Sequence, residues 1–280
     1  TPFQWIGRED NKSLEKKANF LKKELHKIED LAGSEVPVLL ITDEDFTTFN
    51  ATAVLEEAIK ILDKANIKHI YLKGSEIRKE YKTPYMRWSN DIDLYVGPND
   101  IEEAIKIFKE QLNCSYFNES IQHHVFENEM YKLHFELHSC INAFFPTDLK
   151  YLLDDPFKNA IQDDKHNYLY HLSHTMYFLH HIAHMISHTF SGEFWSHMYL
   201  DTYIMSNKED IDFNVLKEAR LDVFAKAITN ISKSLFDKNI VLNDAEKAFE
   251  RILFKESIEI SSAVNKGNDS NSFKYPRFKC

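Results

Sequence analysis

The chain has 280 residues, of which 43% are apolar and 28% charged, and its formal net charge is −10. This is a globular composition with enough apolar side chains for one large domain or two smaller ones. The acidic balance argues against a nucleic-acid partner, because such binding depends on Lys and Arg at phosphates. No apolar run approaches the roughly 20 residues of a membrane span. The first 17 residues lack an apolar signal core, and the three cysteines form no CxxC pair, so we expect a cytoplasmic protein.

In chain order, the hydrophobic pattern predicts four segments of different character. The first has apolar residues at helical spacing followed by a linker with Gly and Pro, and the second alternates helices with short strands. The third has helical periodicity, and the fourth is polar. The expected segments are an N-terminal helix and linker (1–35), an α/β domain (36–146), an all-helical domain (147–260) and a polar tail (261–280). The expected fold class is α+β, a mixed sheet with helices followed by an all-helical C-terminal domain.

Within the second segment, stretches rich in β-forming or alternating residues predict four strands, at 67–72, 91–96, 114–118 and 130–138. Two longer helices are expected, one before the first strand and one between the second and the third. Asn50 is the predicted N-cap of the first, and Asn99 with Glu102 forms a capping-box signal for the second.

Acidic side chains concentrate on the second and fourth of these strands. Asp91 and Asp93 point to the same face of their strand, because side chains alternate between the faces. Glu136 has the same relation to the apolar residues of its own strand. If the two strands are neighbours, three carboxylates meet, and a divalent cation such as Mg²⁺ would neutralise their repulsion.

A possible phosphate site precedes the aspartates. Gly74 and Ser75 stand where a strand gives way to a helix, a junction that can offer backbone N–H groups and a hydroxyl to a phosphate. Lys73 and Arg87 would add positive charge. For each of these two cations, a structural ion pair is an equally good interpretation.

Together these motifs resemble a family. The sequence is similar to uncharacterised bacterial nucleotidyltransferases within the DNA polymerase beta-like nucleotidyltransferase superfamily, over roughly residues 50–205. The matching elements are Tyr71-Leu72-Lys73-Gly74, Arg87, Asp91-Ile92-Asp93-Leu94-Tyr95-Val96, Glu136-Leu137-His138, His184, His188 and Asp201. Two positions depart from the pattern: Asn90 replaces a small residue, and Glu136 replaces the commoner Asp.

The resemblance implies an activity and roles for these residues. A nucleoside triphosphate, with ATP as the expected donor, binds with Mg²⁺ or Mn²⁺, and its nucleoside monophosphate passes to an acceptor, which we expect to be a small hydroxylated molecule. The implied roles are catalysis and metal binding for Asp91, Asp93 and Glu136, phosphate binding for Lys73, Gly74, Ser75 and Arg87, and an acceptor or cleft position for His138, His184, His188 and Asp201.

A histidine-rich segment leaves several interpretations open. Eight of the 14 histidines lie between His166 and His197, and those at helical spacing form one stripe. The stripe can be a partly buried polar interface, a wall of the acceptor or nucleotide cleft, or a zinc or iron site. We expect packing around it to be sensitive to acid, because histidines gain charge below about pH 6.

Two other functions remain open at the level of sequence. One is a catalytically silent nucleotide-binding or protein-interaction module that keeps the scaffold. The other is a His-metal hydrolase centred on His180, His184 and His188.

Overall fold

A mixed sheet of seven strands lies at the centre of the structure, a computed structural model. It describes residues 43–82, 87, 89, 91–119, 123–128, 133–143, 145, 147–191, 197–237 and 239–253. The chain divides into two units, Thr1–Phe46 and Thr47–Cys280, and of the first only the start of a helix is described.

The secondary-structure elements alternate in the first half of the described chain and are mainly helical in the second. The strands are β1 His69–Tyr71, β2 Asp91–Val96, β3 Cys114–Glu119, β4 His123–Asn128, β5 Leu133–His138, β6 Ala160–Gln162 and β7 Leu169–Leu172. The helices are α1 Asp43–Lys64, α2 Lys73–Ile77, α3 Ile101–Gln111, α4 His174–Ser191, α5 His197–Met205, α6 Phe213–Glu218, α7 Asp222–Phe236 and α8 at 244–253. Short 3₁₀ turns cover Arg78–Glu80, Thr147–Leu153 and Pro156–Asn159.

The strand order across the sheet is β3-β4-β5-β2-β1-β7-β6. The central strand β2 pairs antiparallel with β1 and parallel with β5, so β3 and β4 form part of the crossover between the parallel pair. This arrangement brings Asp93 directly opposite Glu136.

Apolar residues pack against both faces of the sheet. On one face, Ile92 and Leu94 belong to a buried cluster with Ala58 of α1 and Phe108 of α3. On the other face, Leu72 and Tyr95 share a buried cluster with residues of α4 to α8. The C-terminal helices therefore share a core with the sheet.

The predicted mixed sheet with helices is confirmed, and β2 has the predicted bounds. The prediction that residues 147–260 are all helical is wrong at β6 and β7, which extend the sheet beyond β1. These strands have only three and four residues, too few to show a clear alternation. Strand β7 pairs with β1, which lies 100 residues earlier in the chain, so local pattern does not reveal that pairing. Strand β6 in turn pairs with β7.

Three smaller predictions also differ from the structure. Helix α1 begins at Asp43, before the predicted cap Asn50, and α3 is preceded by Asp100 as N-cap, which makes no side-chain cap hydrogen bond. Strand β4 was not expected, because its sequence HHVFEN is largely polar.

The predicted N-terminal helix and polar tail, 261–280, lie outside the described residues. None of the described helices is both long and apolar enough to cross a membrane.

Candidate active site

Strands β2 and β5 bring the predicted carboxylates to one face of the sheet. The parallel register aligns Asp91 with His134, Asp93 with Glu136, and Tyr95 with His138. Since side chains alternate along each strand, Asp91, Asp93 and Glu136 share a face with His138. The neighbouring strands that the sequence argument required are therefore present.

A tight connection joins this face to the start of α2. The Leu72 N–H donates to the Asp93 carbonyl at 3.1 Å, and the Asp93 N–H donates to the Ser75 hydroxyl oxygen at 3.3 Å. The Ser75 N–H donates to the Leu72 carbonyl, so this expected phosphate donor is already used within the turn. A Cβ at Gly74 would lie 3.1 Å from Ser89 Oγ and 3.5 Å from Arg87 Nη2, which explains why the smallest residue stands there.

Lys73 links the two central carboxylates. Its Nζ lies 2.7 Å from Asp93 Oδ1 and 3.1 Å from Glu136 Oε2. Burial would lower the pKa of Lys73, but the charges and hydrogen bonds of Asp93 and Glu136 outweigh that effect and raise the pKa above its ordinary value. Lys73 is therefore a charged partner of the carboxylates.

The carboxylates differ in their electrostatic surroundings. Asp91 as a whole residue is exposed, but nearby protein atoms partly desolvate its carboxyl group. This desolvation raises the pKa of the Asp91 carboxyl group to about 6, and the negative charges of Asp93 and Glu136 raise it further. Burial would also raise the pKa of Glu136, but hydrogen bonding from His138 and the charge of Lys73 lower it overall. The side chain of Asp93 is almost completely buried, at 3% exposure. A hard cation beside Asp91 would relieve the repulsion that this carboxyl group experiences, so the donor set fits Mg²⁺.

His138 belongs to the same cluster. Its Nε2 lies 3.0 Å from Asp93 Oδ1 and 3.3 Å from Glu136 Oε2. His123 of β4 is directly opposite His138, and the two ring centroids are 5.1 Å apart. His123 is not among the predicted site residues, because the largely polar sequence of β4 does not predict a strand.

Arg87 and Asp201 form a buried ion pair with each other. The Arg87 Nε lies 2.9 and 3.0 Å from the two Asp201 oxygens, and the Tyr81 hydroxyl donates to Asp201 at 2.5 Å. Of the two interpretations considered for Arg87, this contact favours the structural ion pair. The same contact engages Asp201, which was predicted to lie at the acceptor or in the cleft.

The histidine stripe on α4 approaches the carboxylate cluster. Burial lowers the pKa of His180 to about 3, and the positive charge of Lys73 and proximity of His138 contribute to the shift. Burial also holds the pKa of His184 well below its ordinary value, with Lys73 as the next cause. His184 and His188 approach each other with 3.0 Å between their Nε2 atoms. These contacts fit both a polar interface and a cleft wall.

One contact that the sequence did not predict connects α4 to the Lys73 turn. The hydroxyl of Tyr177, which is buried, donates to the Lys73 backbone carbonyl. The sequence contains a partial signal for it, because Tyr177 has helical spacing with the histidines of the stripe. Nothing in the local sequence identifies its partner 104 residues away.

Comparison with known proteins places the chain in a family. A family model described as uncharacterised nucleotidyltransferase matches residues 44–231. A comparison with curated proteins gave no match. Among solved structures, the chain is similar to the solution structure of the antibiotic-resistance factor ANT(2'')-Ia, with 10% identity over 68% of this chain and 92% of that one and a TM-score of 0.39. Since the family model matches more than half of its residues, the chain belongs to this family of nucleotidyltransferases, enzymes that transfer a nucleoside monophosphate.

Proposed function

We propose that the protein transfers a nucleoside monophosphate from ATP to a small hydroxylated acceptor in a reaction that requires Mg²⁺. The observation that carries this proposal is the meeting of Asp91, Asp93 and Glu136 on one face of the sheet beside the Lys73–Ser75 turn. Because the chain belongs to a nucleotidyltransferase family, we interpret this carboxylate cluster first as a site for nucleotidyl transfer.

The three carboxylates would hold the metal. When bound, Mg²⁺ supplies positive charge beside the reacting phosphate and the leaving pyrophosphate. Asp93 has a fixed position, because its backbone is hydrogen-bonded to both Leu72 and Ser75. Asp91 lies at the exposed end of β2 and is open to a metal–nucleotide complex. Glu136 is in addition a candidate base for the acceptor hydroxyl.

The triphosphate would lie against the Lys73–Ser75 turn. Gly74 is buried and leaves room for Ser89 and Arg87 beside the turn, and Lys73 supplies a cation close to the metal-binding carboxylates. The Ser75 hydroxyl accepts from the Asp93 N–H, and its own hydrogen can point toward a phosphate oxygen. Because Arg87 is paired with Asp201, we assign these two residues to holding the turn in place.

The acceptor would lie between the carboxylate cluster and α4. His138 contacts Asp93 directly, and the charge of Lys73 acts on His180 and His184. Neutral imidazoles can hydrogen-bond hydroxyl groups without adding charge. The net charge of −10 disfavours an RNA end as the acceptor.

The test is a screen of labelled nucleoside triphosphates against a metabolite extract, with the native chain and an Asp91→Asn/Asp93→Asn variant compared. We expect a labelled product and released pyrophosphate with the native chain, with ATP the best donor, and no product without Mg²⁺ or with the variant. Calorimetry of ATP binding with and without Mg²⁺ accompanies the screen. Metal-dependent binding without product across the panel would favour the silent module instead.

A further inference from the structure

Three metal-ligating side chains come together on β4 and β5 beside the carboxylates. His123, Glu136 and His138 each present a ligand atom, and these atoms all lie within 4.8 Å of one another. We propose that this trio is a second metal site, which binds a divalent transition-metal ion of the zinc type. The site shares Glu136 with the proposed function but does not require that function to be correct.

The sheet geometry brings the three ligands to one point. His123 and His138 are directly opposite in the antiparallel pair, and Glu136 stands two residues before His138 on β5. Directly opposite residues of an antiparallel pair have their Cβ atoms about 5 Å apart, and residues two apart on a strand share a face. Three ligands on two adjacent strands are therefore held by the backbone itself.

The chemistry of the donors selects the class of ion. Two imidazole nitrogens and one carboxylate oxygen suit zinc, cobalt or manganese, whereas Mg²⁺ prefers oxygen ligands alone. An imidazole must be neutral to bind a metal, so binding to this trio should weaken as the pH falls. The trio therefore differs in preference from the oxygen-only set of Asp91, Asp93 and Glu136.

Neighbouring groups define the remaining side of the site. Asp93 Oδ1 lies 3.0 Å from His138 Nε2, which places a fourth ligand atom, a carboxylate oxygen, close to the trio. Lys73 is hydrogen-bonded to Glu136, so an ion that takes this carboxylate would compete with the ammonium group. Because Glu136 is common to both sets, a zinc-type ion and Mg²⁺ should also influence each other's binding.

The experiment measures binding of Zn²⁺ and Co²⁺ to the full chain, first freed of metal with a chelator and then kept in excess Mg²⁺. Calorimetry follows Zn²⁺, and the visible absorption of protein-bound Co²⁺ reports nitrogen ligation. We expect one ion per chain, and affinity at least about tenfold weaker in His123→Ala. His124→Ala is the matched control, because the adjacent side chain points to the opposite face and contacts Tyr116 instead. This control should bind like the native chain.

Two further variants separate the outcomes. His123→Cys keeps a zinc ligand and should retain Zn²⁺ binding, whereas a purely structural effect of losing the histidine would not be rescued. Asp91→Asn should abolish nucleotidyl transfer and leave Zn²⁺ binding in place, so the two proposals can fail separately. The inference is overturned if the native chain binds neither ion, if His123→Ala binds as the native chain does, or if binding disappears only in Asp91→Asn.

Discussion

Lys73 combines an unusual backbone conformation with a pivotal charge. Its φ of 48° lies in the left-handed region, which costs a residue with a side chain about 1–2 kcal/mol. The hydrogen bond from Tyr177 to its carbonyl and the contacts of its Nζ to Asp93 and Glu136 hold it there. Strain of this kind persists where the surroundings fix the conformation, and it clusters at functional sites.

Substitution of Lys73 tests how much the carboxylates depend on its charge. In Lys73→Met, Asp93 and Glu136 lose their shared cation, and we expect the free energy of unfolding at pH 7.5 to fall by about 3 kcal/mol in metal-free buffer. Urea unfolding monitored by circular dichroism measures the change. Mg²⁺ or Mn²⁺ should restore part of the loss, because either ion can neutralise the same carboxylates.

Lys79→Met is the control for this substitution. Lys79 pairs with Glu76, but its side chain is 45% exposed, so its loss should cost at most about 1 kcal/mol. Equal destabilisation by the two substitutions would contradict the assignment of Lys73 as the partner of the site carboxylates.

At the scale of elements, a buried ion pair fastens α5 to the segment before β2. Asp201 is one turn into α5, and its contacts with Arg87 and Tyr81 join residues 114 and 120 positions apart. Both partners of the ion pair have side-chain exposure below 10%. Loss of one partner would leave an uncompensated buried charge.

Asp201→Asn is therefore expected to lower the free energy of unfolding by about 3–5 kcal/mol. The exposed pair of Asp148 and Arg220 supplies the control, and Asp148→Asn should change stability by less than about 1 kcal/mol. Thermal and urea unfolding of the two variants give the comparison. An Asp201→Asn variant that is as stable as the native chain but has a raised KM for the acceptor would instead support the predicted position of Asp201 at the acceptor or in the cleft.

The elements also explain how far the sequence could predict this molecule. Strand β2 was predictable, because Ile92, Leu94 and Val96 alternate with polar residues, and that alternation also gave the shared face of Asp91 and Asp93. Strands β6 and β7 were not predictable, because both are short. In the sheet, β7 lies beside the distant strand β1, and β6 lies beside β7. The pairing of Asp201 with Arg87 and the position of His123 both depend on tertiary contacts that leave no periodic signal.

At the scale of the whole molecule, burial keeps several histidines neutral. It lowers the pKa of His69 and His181 to about 4 and that of His180 to about 3. The expected acid sensitivity thus has a different main cause from the one first considered, because desolvation outweighs repulsion between charged histidines in each case. The unfolded chain releases the histidines into water, where their pKa is about 6.5.

These shifts predict how stability depends on pH. Below pH 6.5 the unfolded chain takes up protons that the folded chain excludes, so stability is greatest above that value and falls with acidification toward pH 4. At pH 5.5 each of these three histidines should cost about 1.4 kcal/mol, or about 4 kcal/mol together, and His184 and His197, whose pKa values burial also lowers, add to the loss. Asp91 opposes this in part, because its raised pKa favours proton uptake by the folded chain below about pH 6.

Urea unfolding at pH 7.5 and pH 5.5 measures the difference. His180→Gln should reduce the fall by about 1.4 kcal/mol, because the variant lacks one of the titrating groups. The prediction is contradicted if the free energy of unfolding is the same at pH 7.5 and pH 5.5, or if it is larger at pH 5.5.

The parallel pairing of β2 with β5 has a consequence for the growing chain on the ribosome. Asp93 is synthesised 45 positions before its contact His138, and the crossover through β3 and β4 must be complete before the two can meet. A nascent polypeptide that ends before Leu133 carries both aspartates but neither of the β5 ligands. The full ligand set can therefore assemble only after the strand that supplies Glu136 has emerged. The repulsion among the three carboxylates also begins only then.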